Sequence, residues 1–325
     1  MEQRRLGNSD VSVSVIGLGT WEMAGDFWGE ADDKQSIRVV HQALELGVTL
    51  VDTAEGYGAG HSEEVLGRAL FGRRDQVVLS SKVAPNHLEP VAIEAALEGS
   101  LARLGTDHLD VYFIHWPSLD FPVGPAMEKL EQFRAEGRIR AIGVSNFSVP
   151  RLEEAARYGV VDVLQPPYNA LWREIEAEIL PYCREHAIGV MPYSGLAQGL
   201  LTGTLRPDTT FAEGDRRRST VLFQPGTYER ALAAVERLRP IAERYGRSLP
   251  QLAIAWLVGR AGVSSPLLGA RTVAEMEDNA AAVDWTLDPD DLATIDAATL
   301  PVWDEIKEKG DMFGYWIRVR AAHPA

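Results

Sequence analysis

The sequence predicts an α/β protein folded as a single (β/α)8 TIM barrel over residues 1–325. Three observations carry that expectation. Eight apolar, β-like runs alternate with amphipathic helical segments; no long linker interrupts the alternation; and several of the runs end at a titratable side chain. The runs end near Leu18, Asp52, Lys82, His115, Ser145, Gln165, Tyr193 and Gly269. With 46% hydrophobic and 24% charged residues the chain has enough apolar side chains for a large core.

Taken in order, the opening RRLGNSDVSVSVIG reads as a β-hairpin with an Asn-Ser-Asp turn, placed to plug the N-terminal end of the barrel. In DDKQSIRVVHQALELG, Ile37, Val40, Ala43, Leu44 and Leu46 recur at near-helical spacing, and Gly47 follows as a stop. SEEVLGRALFG and PVAIEAALEGSLARLG are further helical segments. After the seventh strand a long loop runs from about Gly195 to Gln224 and holds Pro207, Gly214 and the arginines Arg216, Arg217 and Arg218. Loops of that length are usually functional or mobile. The tail after Pro301 carries Trp303, Phe313, Tyr315 and Trp316, too aromatic for a disordered end, and is expected near the barrel mouth.

The formal net charge is 32 − 47 = −15. An acidic surface speaks against nucleic acid and anionic membrane as partners, although solubility at low pI accounts for it equally simply. No stretch approaches the roughly 20 apolar residues of a membrane span. The N-terminal stretch has charges but no continuous apolar run, and Cys183 is the lone cysteine, so a reduced cytoplasmic setting is expected. The seven histidines show neither HxH nor HExxH spacing, and no metal is expected. The sequence does not set an oligomeric state.

In a parallel barrel the strand C-termini converge at one mouth. Asp52, Lys82 and His115 end the second, third and fourth strands, and Tyr57 lies in the loop after the second. Neighbouring strands are about 5 Å apart, so these side chains can meet. Each has an ordinary reading alone: Asp52 as a helix cap, Lys82 as a solvated strand end, His115 as a packed histidine, Tyr57 as a surface aromatic. Their placement on consecutive strand ends favours one constructed site. A tyrosine, with a reference pKa of about 10, is a poor acid at neutral pH. A lysine cation that is itself paired to an aspartate favours the phenolate and makes the phenol a usable proton donor. That chemistry suits carbonyl reduction, in which an alkoxide is protonated as it forms. GYGAG at 56–60 fails the G-x-G-x-x-G dinucleotide pattern and reads as a tight βα loop.

Along nearly its whole length the sequence resembles the aldo-keto reductases, through VDTAEGYGAGHSEEVLG, SLARLGTDHLDVYFIHWP, GRIRAIGVSNF, LQPPYN, MPYSGLAQGLL and PLLGARTVAEMEDN in the family's order. Within the family it is most similar to a bacterial and plant branch that includes the inositol-locus reductase-like proteins. The resemblance implies an NAD(P)(H)-dependent oxidoreductase that interconverts aldehydes or ketones and alcohols. It implies a tetrad of Asp52, Tyr57, Lys82 and His115, with Tyr57 as general acid or base, Lys82 held by Asp52, and His115 orienting the carbonyl. It implies that Ser145, Asn146 and Gln165 hold the nicotinamide carboxamide, with Tyr193 stacked on the ring and Ser194 and Leu196 following it. Gly269, Arg271, Thr272, Glu275 and Asn279 match the adenosine phosphate segment, where a helix start offers N–H groups to an anion. Trp21 matches a residue at the pocket mouth. Trp28 and Trp116, with Trp172 and the aromatic tail, suggest flat apolar pocket walls suited to aromatic or sugar-like carbonyls, although core packing accounts for some of these tryptophans equally well.

Two positions depart from the family pattern. Glu275 stands where many relatives carry Arg or Gln facing the 2′-phosphate of NADP. A carboxylate repels that phosphate and accepts from ribose hydroxyls instead, whereas Arg271 nearby pairs with a phosphate. Glu275 turned to solvent on its helix is the plainer alternative. The resemblance to a family that favours NADP keeps NADP ahead, and NAD remains open. Gly195 replaces a common proline. The expected partner is a small carbonyl or alcohol substrate. The alternative from another class is a non-catalytic, cofactor-binding regulatory subunit resembling the potassium-channel β subunits.

Overall fold

The computed structural model describes residues 1–25, 31–309 and 312–313. It divides into two compact units. The first comprises Met1–Pro166, Ile175–Tyr193 and Ala261–Ala280; the second comprises Pro167–Glu174, Ser194–Arg260 and Ala281–Ala325.

The first unit opens with the hairpin β1 (Gln3–Arg5) and β2 (Ser12–Ser14), paired antiparallel with Arg4 opposite Val13. Eight parallel strands follow: β3 (Gly17–Gly19), β4 (Leu50–Asp52), β5 (Val78–Val83), β6 (Leu109–Ile114), β7 (Ile139–Ser145), β8 (Val163–Gln165), β9 (Gly189–Val190) and β10 (Leu267–Gly269). They lie in sequence order, with β10 beside β3. On its other side the segment leading into β10 donates to the β9 segment: the Leu267 N–H to the Pro192 carbonyl at 2.7 Å and the Ser264 N–H to the Val190 carbonyl at 2.8 Å. The sheet thereby closes into the expected (β/α)8 barrel. The seventh strand stops earlier than the apolar run suggests. Pro192 has no N–H for a ladder, so beyond Val190 the chain keeps only single bonds, Met191 N–H to Leu164 and Tyr193 N–H to Pro166.

Strand side chains alternate between faces with period two. Leu50, Val111, Phe113, Ala141, Val163, Met191 and Leu267 form one apolar cluster with Leu6, Val11 and Val13 of the hairpin segment, and Val78 packs against it. This is the barrel interior, and the hairpin fills its N-terminal end. Counting two residues on from those positions puts Asp52, Ser80, then Lys82, His115, Gln165 and Tyr193 on the same inward face, at the C-terminal end. The core thus fixes which polar residues face inward at the mouth.

Helices α1 (Asp33–Glu45), α2 (His61–Ala69), α3 (Pro90–Leu104), α4 (Val123–Ala135), α5 (Val149–Ala155) and α6 (Ile179–Glu185) connect the strands. Asp32 caps α1 by accepting from Lys34 and Gln35 N–H, and Pro90 opens α3, which ends on Gly105. In α1 the buried stripe is Ser36, Val39, Val40 and Ala43, so Ile37, Leu44 and Leu46 are half-buried flanks rather than the centre of the face. The helix packs beside two neighbours, α2 and α9 (Val273–Ala280), which widens its covered surface beyond one stripe.

The second unit contains α7 (Thr227–Arg244), α8 (Leu249–Val258) and α10 (Pro289–Ile306). Ser248 and Gln251 close α8 with a reciprocal capping box. The loop expected at 195–224 is organised by short 3-10 turns at Ala197–Thr202, Arg216–Ser219 and Val221–Phe223. In the tail, Trp303 meets Trp172 edge-on at 5.2 Å and Phe313 lies under the Arg216 guanidinium; Tyr315 and Trp316 lie outside the described residues. No helix among the described residues is long and apolar enough to cross a membrane.

Candidate active site

Lys82 is wholly buried, and its ammonium has three N–H donors to place. It places them on Asp52 Oδ2 at 2.6 Å, the Thr53 carbonyl at 2.7 Å and the Tyr57 hydroxyl oxygen at 3.2 Å. Burial pushes the ammonium below its ordinary pKa of 10.5, opposed by the Asp52 charge and hydrogen bond and by the more distant Glu63. The other oxygen of Asp52 accepts from Ser80 Oγ at 2.6 Å and Gln165 Nε2 at 3.1 Å. Asp52 is therefore held by three neighbouring side chains, and its carboxylate orients the lysine.

Tyr57 reaches this pair because the chain turns sharply after β4. Gly58, Ala59 and Gly60 all have left-handed φ angles of 60°, 51° and 95°. A Cβ on Gly58 would stand 2.5 Å from the Ala24 carbonyl oxygen, so only glycine allows the approach. GYGAG is a tight βα loop, as read from the sequence. The half-buried Tyr57 ring stacks on Trp21 at 6.1 Å and 22°, meets His115 edge-on at 5.6 Å, and carries the Lys82 Nζ 4.8 Å above its centroid. Burial and the Lys82 charge hold His115 well below the ordinary histidine value of 6.5. At neutral pH it is a neutral ring with one N–H to offer.

Ser145, Asn146, Gln165 and Tyr193 gather at the ends of β7, β8 and the β9 segment. Tyr193 OH donates to Asn146 Oδ1 at 2.8 Å; Asn146 Nδ2 donates to the His115 carbonyl at 3.1 Å and Ser145 Oγ at 2.9 Å; Ser145 Oγ donates to the Gln165 carbonyl at 2.7 Å. Two amide side chains, a hydroxyl and a half-buried aromatic ring form a donor and acceptor set that fits a flat carboxamide-bearing ring. Asn146 sits at φ 65°, a left-handed conformation that Asn tolerates better than most residues.

At the end of β10, Asn279 Nδ2 donates to the Gly269 carbonyl at 3.1 Å. Thr272 Oγ1 accepts from the Glu275 N–H at 3.2 Å, and Glu275 Oε2 accepts from the Arg271 N–H at 2.6 Å. Glu275 is thus tied into the start of α9. Sequence reasoning missed Glu22: its Oε1 stands 1.9 Å from where a Cβ on Gly269 would sit. Burial pushes its carboxyl up to about 7, with Glu275 adding to the rise and Arg271 opposing it. It also missed Ser80, although period two places it on the Lys82 face, and the buried Glu63, which accepts from Ser81 Oγ at 2.5 Å and Arg103 Nε at 2.7 Å.

Ser194 and Leu196 belong to the second unit, where the Ser194 carbonyl accepts from Asn169 Nδ2 at 3.0 Å. Trp116 is half-buried beside His115 in sequence, and Trp28 lies outside the described residues. Of the two roles left open for Trp172, the structure shows the core one: it is fully buried and its Nε1 donates to Glu174. Among the described residues no group of His, Cys, Asp or Glu is arranged to hold a metal.

A family model described as the Aldo/keto reductase family matches residues 15–299. Aldo-keto reductase YhdN of Bacillus subtilis is 38% identical over 302 residues, covering 90% of this chain and 91% of that one. The NADH-specific methylglyoxal reductase of Escherichia coli is 34% identical over 311 residues, covering 88% and 95%. Among solved structures, glycerol dehydrogenase AKR11B4 from Gluconobacter oxydans superposes with a TM-score of 0.84 at 33% identity, covering 92% of this chain and 95% of that one. A Klebsiella pneumoniae aldo/keto reductase in complex with NADP and acetate superposes at 0.74 with 34% identity, covering 91% and 94%.

Proposed function

The chain belongs to the aldo/keto reductase family, and from that premise we propose how its residues divide the work of an NAD(P)(H)-dependent oxidoreductase. The reaction interconverts aldehydes or ketones and alcohols. When bound, the reduced nicotinamide supplies the hydride. Tyr57 gives its phenolic proton to the carbonyl oxygen in reduction and, as phenolate, takes one from the alcohol in oxidation. Lys82 donates to the Tyr57 oxygen and favours the phenolate; Asp52 keeps the ammonium in place. Neutral His115 offers an N–H to the carbonyl oxygen and orients it. The observation that carries this reading is the Lys82 Nζ at 3.2 Å from the Tyr57 hydroxyl, inside a buried chain of bonds from Asp52.

Ser145, Asn146 and Gln165 hold the carboxamide, with the Tyr193 ring against the nicotinamide. Gly269, Arg271, Thr272, Glu275 and Asn279 face the adenosine end, and Ser194 and Leu196 are assigned to the cofactor by sequence resemblance. Trp21 and Trp116 border the substrate. NADP(H) is the favoured cofactor, supported by the Klebsiella complex; NAD(H) is the alternative, supported by the NADH-specific relative and by the carboxylate of Glu275. The branch that includes the inositol-locus reductase-like proteins and a cytoplasmic location complete the reading. Both named activities among the relatives, methylglyoxal reduction and glycerol oxidation, concern small oxygenated three-carbon compounds, and a small carbonyl or polyol is the substrate class proposed here.

The test is a panel of aldehydes, ketones and polyols run with NADPH and NADH in both directions, on wild type and Tyr57→Phe. The variant should lose at least about a hundredfold in turnover, the usual range for a lost general acid, and still quench tryptophan fluorescence on cofactor binding. Turnover near the wild-type rate would remove Tyr57 from the chemistry.

A further inference from the structure

Ser80 has no role in the division of work above, yet it is built into the same chain of bonds. It is fully buried, and it is the Cα partner of Asp52 in the parallel register of β4 and β5. Both side chains face the interior, two residues before Lys82 along the strand. Ser80 Oγ donates to Asp52 Oδ1 at 2.6 Å, and Lys82 Nζ donates to Asp52 Oδ2 at the same distance. The hydroxyl and the ammonium therefore grip opposite oxygens of one carboxylate and fix its plane. A third donor, Gln165 Nε2, shares Oδ1 with Ser80 at the longer distance of 3.1 Å.

We propose that Ser80 is a positioning residue for the reaction: through Asp52 it sets where the Lys82 ammonium stands against the Tyr57 oxygen, and so how readily Tyr57 gives up its proton. This rests on the assignment of Tyr57 as proton donor. The physical argument concerns the three acceptors of Lys82. The Thr53 carbonyl is fixed by the backbone. Only the Asp52 and Tyr57 contacts can trade length, and the Asp52 contact is set by the carboxylate's orientation. Donors to a carboxylate stabilise its anionic form, and between side chains as buried as Ser80 and Asp52 a lost donor is not readily replaced. Without Ser80, Gln165 alone steadies Oδ1, and Gln165 is also assigned to the nicotinamide. Binding of the cofactor then draws on the last donor left to that oxygen. Ser80 frees Gln165 from this conflict, because with the hydroxyl in place Asp52 keeps a short bond whatever Gln165 does.

The consequence is a sign. In Ser80→Ala the carboxylate loses a donor and becomes more basic, so it draws the Lys82 proton more strongly to itself; the positive charge felt at the Tyr57 oxygen falls and the phenol becomes a weaker acid. In alcohol oxidation, which needs the phenolate, the pH at half-maximal kcat should move up. In reduction, kcat should fall with little change in KM for the carbonyl.

The experiment measures kcat and KM for glycerol oxidation and methylglyoxal reduction against pH, in wild type, Ser80→Ala, Ser80→Thr and Tyr57→Phe. Cofactor affinity is followed by fluorescence quenching and folding by thermal melting. The expected result for Ser80→Ala is a fall in kcat of about ten- to hundredfold, on the scale of one lost hydrogen bond to a charged group. Its oxidation profile should move up by about half a pH unit or more. Ser80→Thr, which keeps the hydroxyl, should return the profile towards wild type. A wild-type profile in a folded Ser80→Ala would overturn the proposal. So would a fall in kcat with no pH shift and no recovery in Ser80→Thr, which would mark a packing role. Retained turnover in Tyr57→Phe overturns the underlying assignment and the proposal together, whereas a dead Tyr57→Phe beside an unmoved Ser80→Ala overturns the proposal alone.

Discussion

Each unit holds a charge cluster, and the two clusters are built from related parts. In the first unit one ammonium and one carboxylate share a site with a phenol. In the second, Asp296 accepts from the guanidiniums of Arg173 and Arg260 and from Trp256 Nε1 at 2.9 Å. Both guanidiniums also lie over the Trp256 ring, at 4.7 and 4.0 Å from its centroid. Arginine is permanently charged, with a rigid fork of donors, while a buried lysine is open to tuning by its surroundings. Every group on Asp296 is locked: burial raises its carboxyl, and the bonds from Arg173, Trp256 and Arg260 more than reverse that and hold it below the ordinary aspartate value. In the first unit Lys82 donates to the hydroxyl oxygen of the half-buried Tyr57. In the proposed reading the difference between the clusters is this phenol, whose proton is exchanged beside a tunable cation.

The sharpest way to break this contrast is to neutralise both partners of the first cluster at once. The double variant Asp52→Asn/Lys82→Met removes the pair without leaving one charge uncompensated, and such replacements are often near neutral for stability. Turnover should fall by about a hundredfold to ten-thousandfold, while the melting temperature stays within a few degrees of wild type. A double variant that keeps its activity, or one that no longer folds, would show that the first cluster is structural like the second.

The reverse test is Asp296→Ala. It leaves Arg173, which is almost fully buried, without its carboxylate, at a cost of roughly 3–5 kcal/mol for a broken buried pair. The kcat of the folded fraction should be unchanged. Acid adds a second reading of the same cluster. The folded-state pKa of Asp296 is depressed, so the stability it contributes is present above the unfolded value of about 4 and is lost as pH falls through the lower, folded value. Urea melts between neutral pH and pH 3 should show that loss in wild type and less of it in Asp296→Ala. Parallel curves for the two proteins would take Asp296 out of acid unfolding.

Much of the first cluster was legible in the sequence, because strand periodicity and a shared barrel mouth are regular. Asp52, Lys82 and His115 could be placed from where apolar runs stop, and Tyr57 from the glycines after one of them. What was not legible depended on contacts between strands. Ser80 looks like one of two interchangeable serines until the register pairs it with Asp52. Glu22 reads as an ordinary polar residue until its carboxyl is seen against Gly269. Trp172 could not be assigned from the sequence, because tryptophans at a pocket wall and in a core have the same sequence signature. The second cluster was invisible throughout: Arg173, Trp256, Arg260 and Asp296 are scattered along the chain, and nothing in their spacing joins them.

The smallest expected effect lies at the start of α9, where an exposed charge stands in for a buried one. Glu275 Oε2 accepts the Arg271 N–H, and Thr272 accepts the Glu275 N–H, so the carboxylate closes the helix start; in the proposed reading it has a second part, as the charge that faces the adenosine end. Glu275→Gln separates the two, because an amide oxygen still accepts the Arg271 N–H while the charge is gone. Glu275 is exposed, and unit charges 4 Å apart in water interact by only about 1 kcal/mol, less in salt. The kcat/KM ratio for NADPH over NADH should therefore rise by about two- to fivefold, not by orders of magnitude. Raising ionic strength from low to about 0.5 M should shrink the difference, since the Debye length drops to about 4 Å, comparable with the spacing of the charges. Helix stability should hold, which melting checks. A ratio that does not move, or one that moves equally at both salt concentrations, would show that Glu275 serves only as the cap of α9 and that the cofactor's phosphate is read elsewhere.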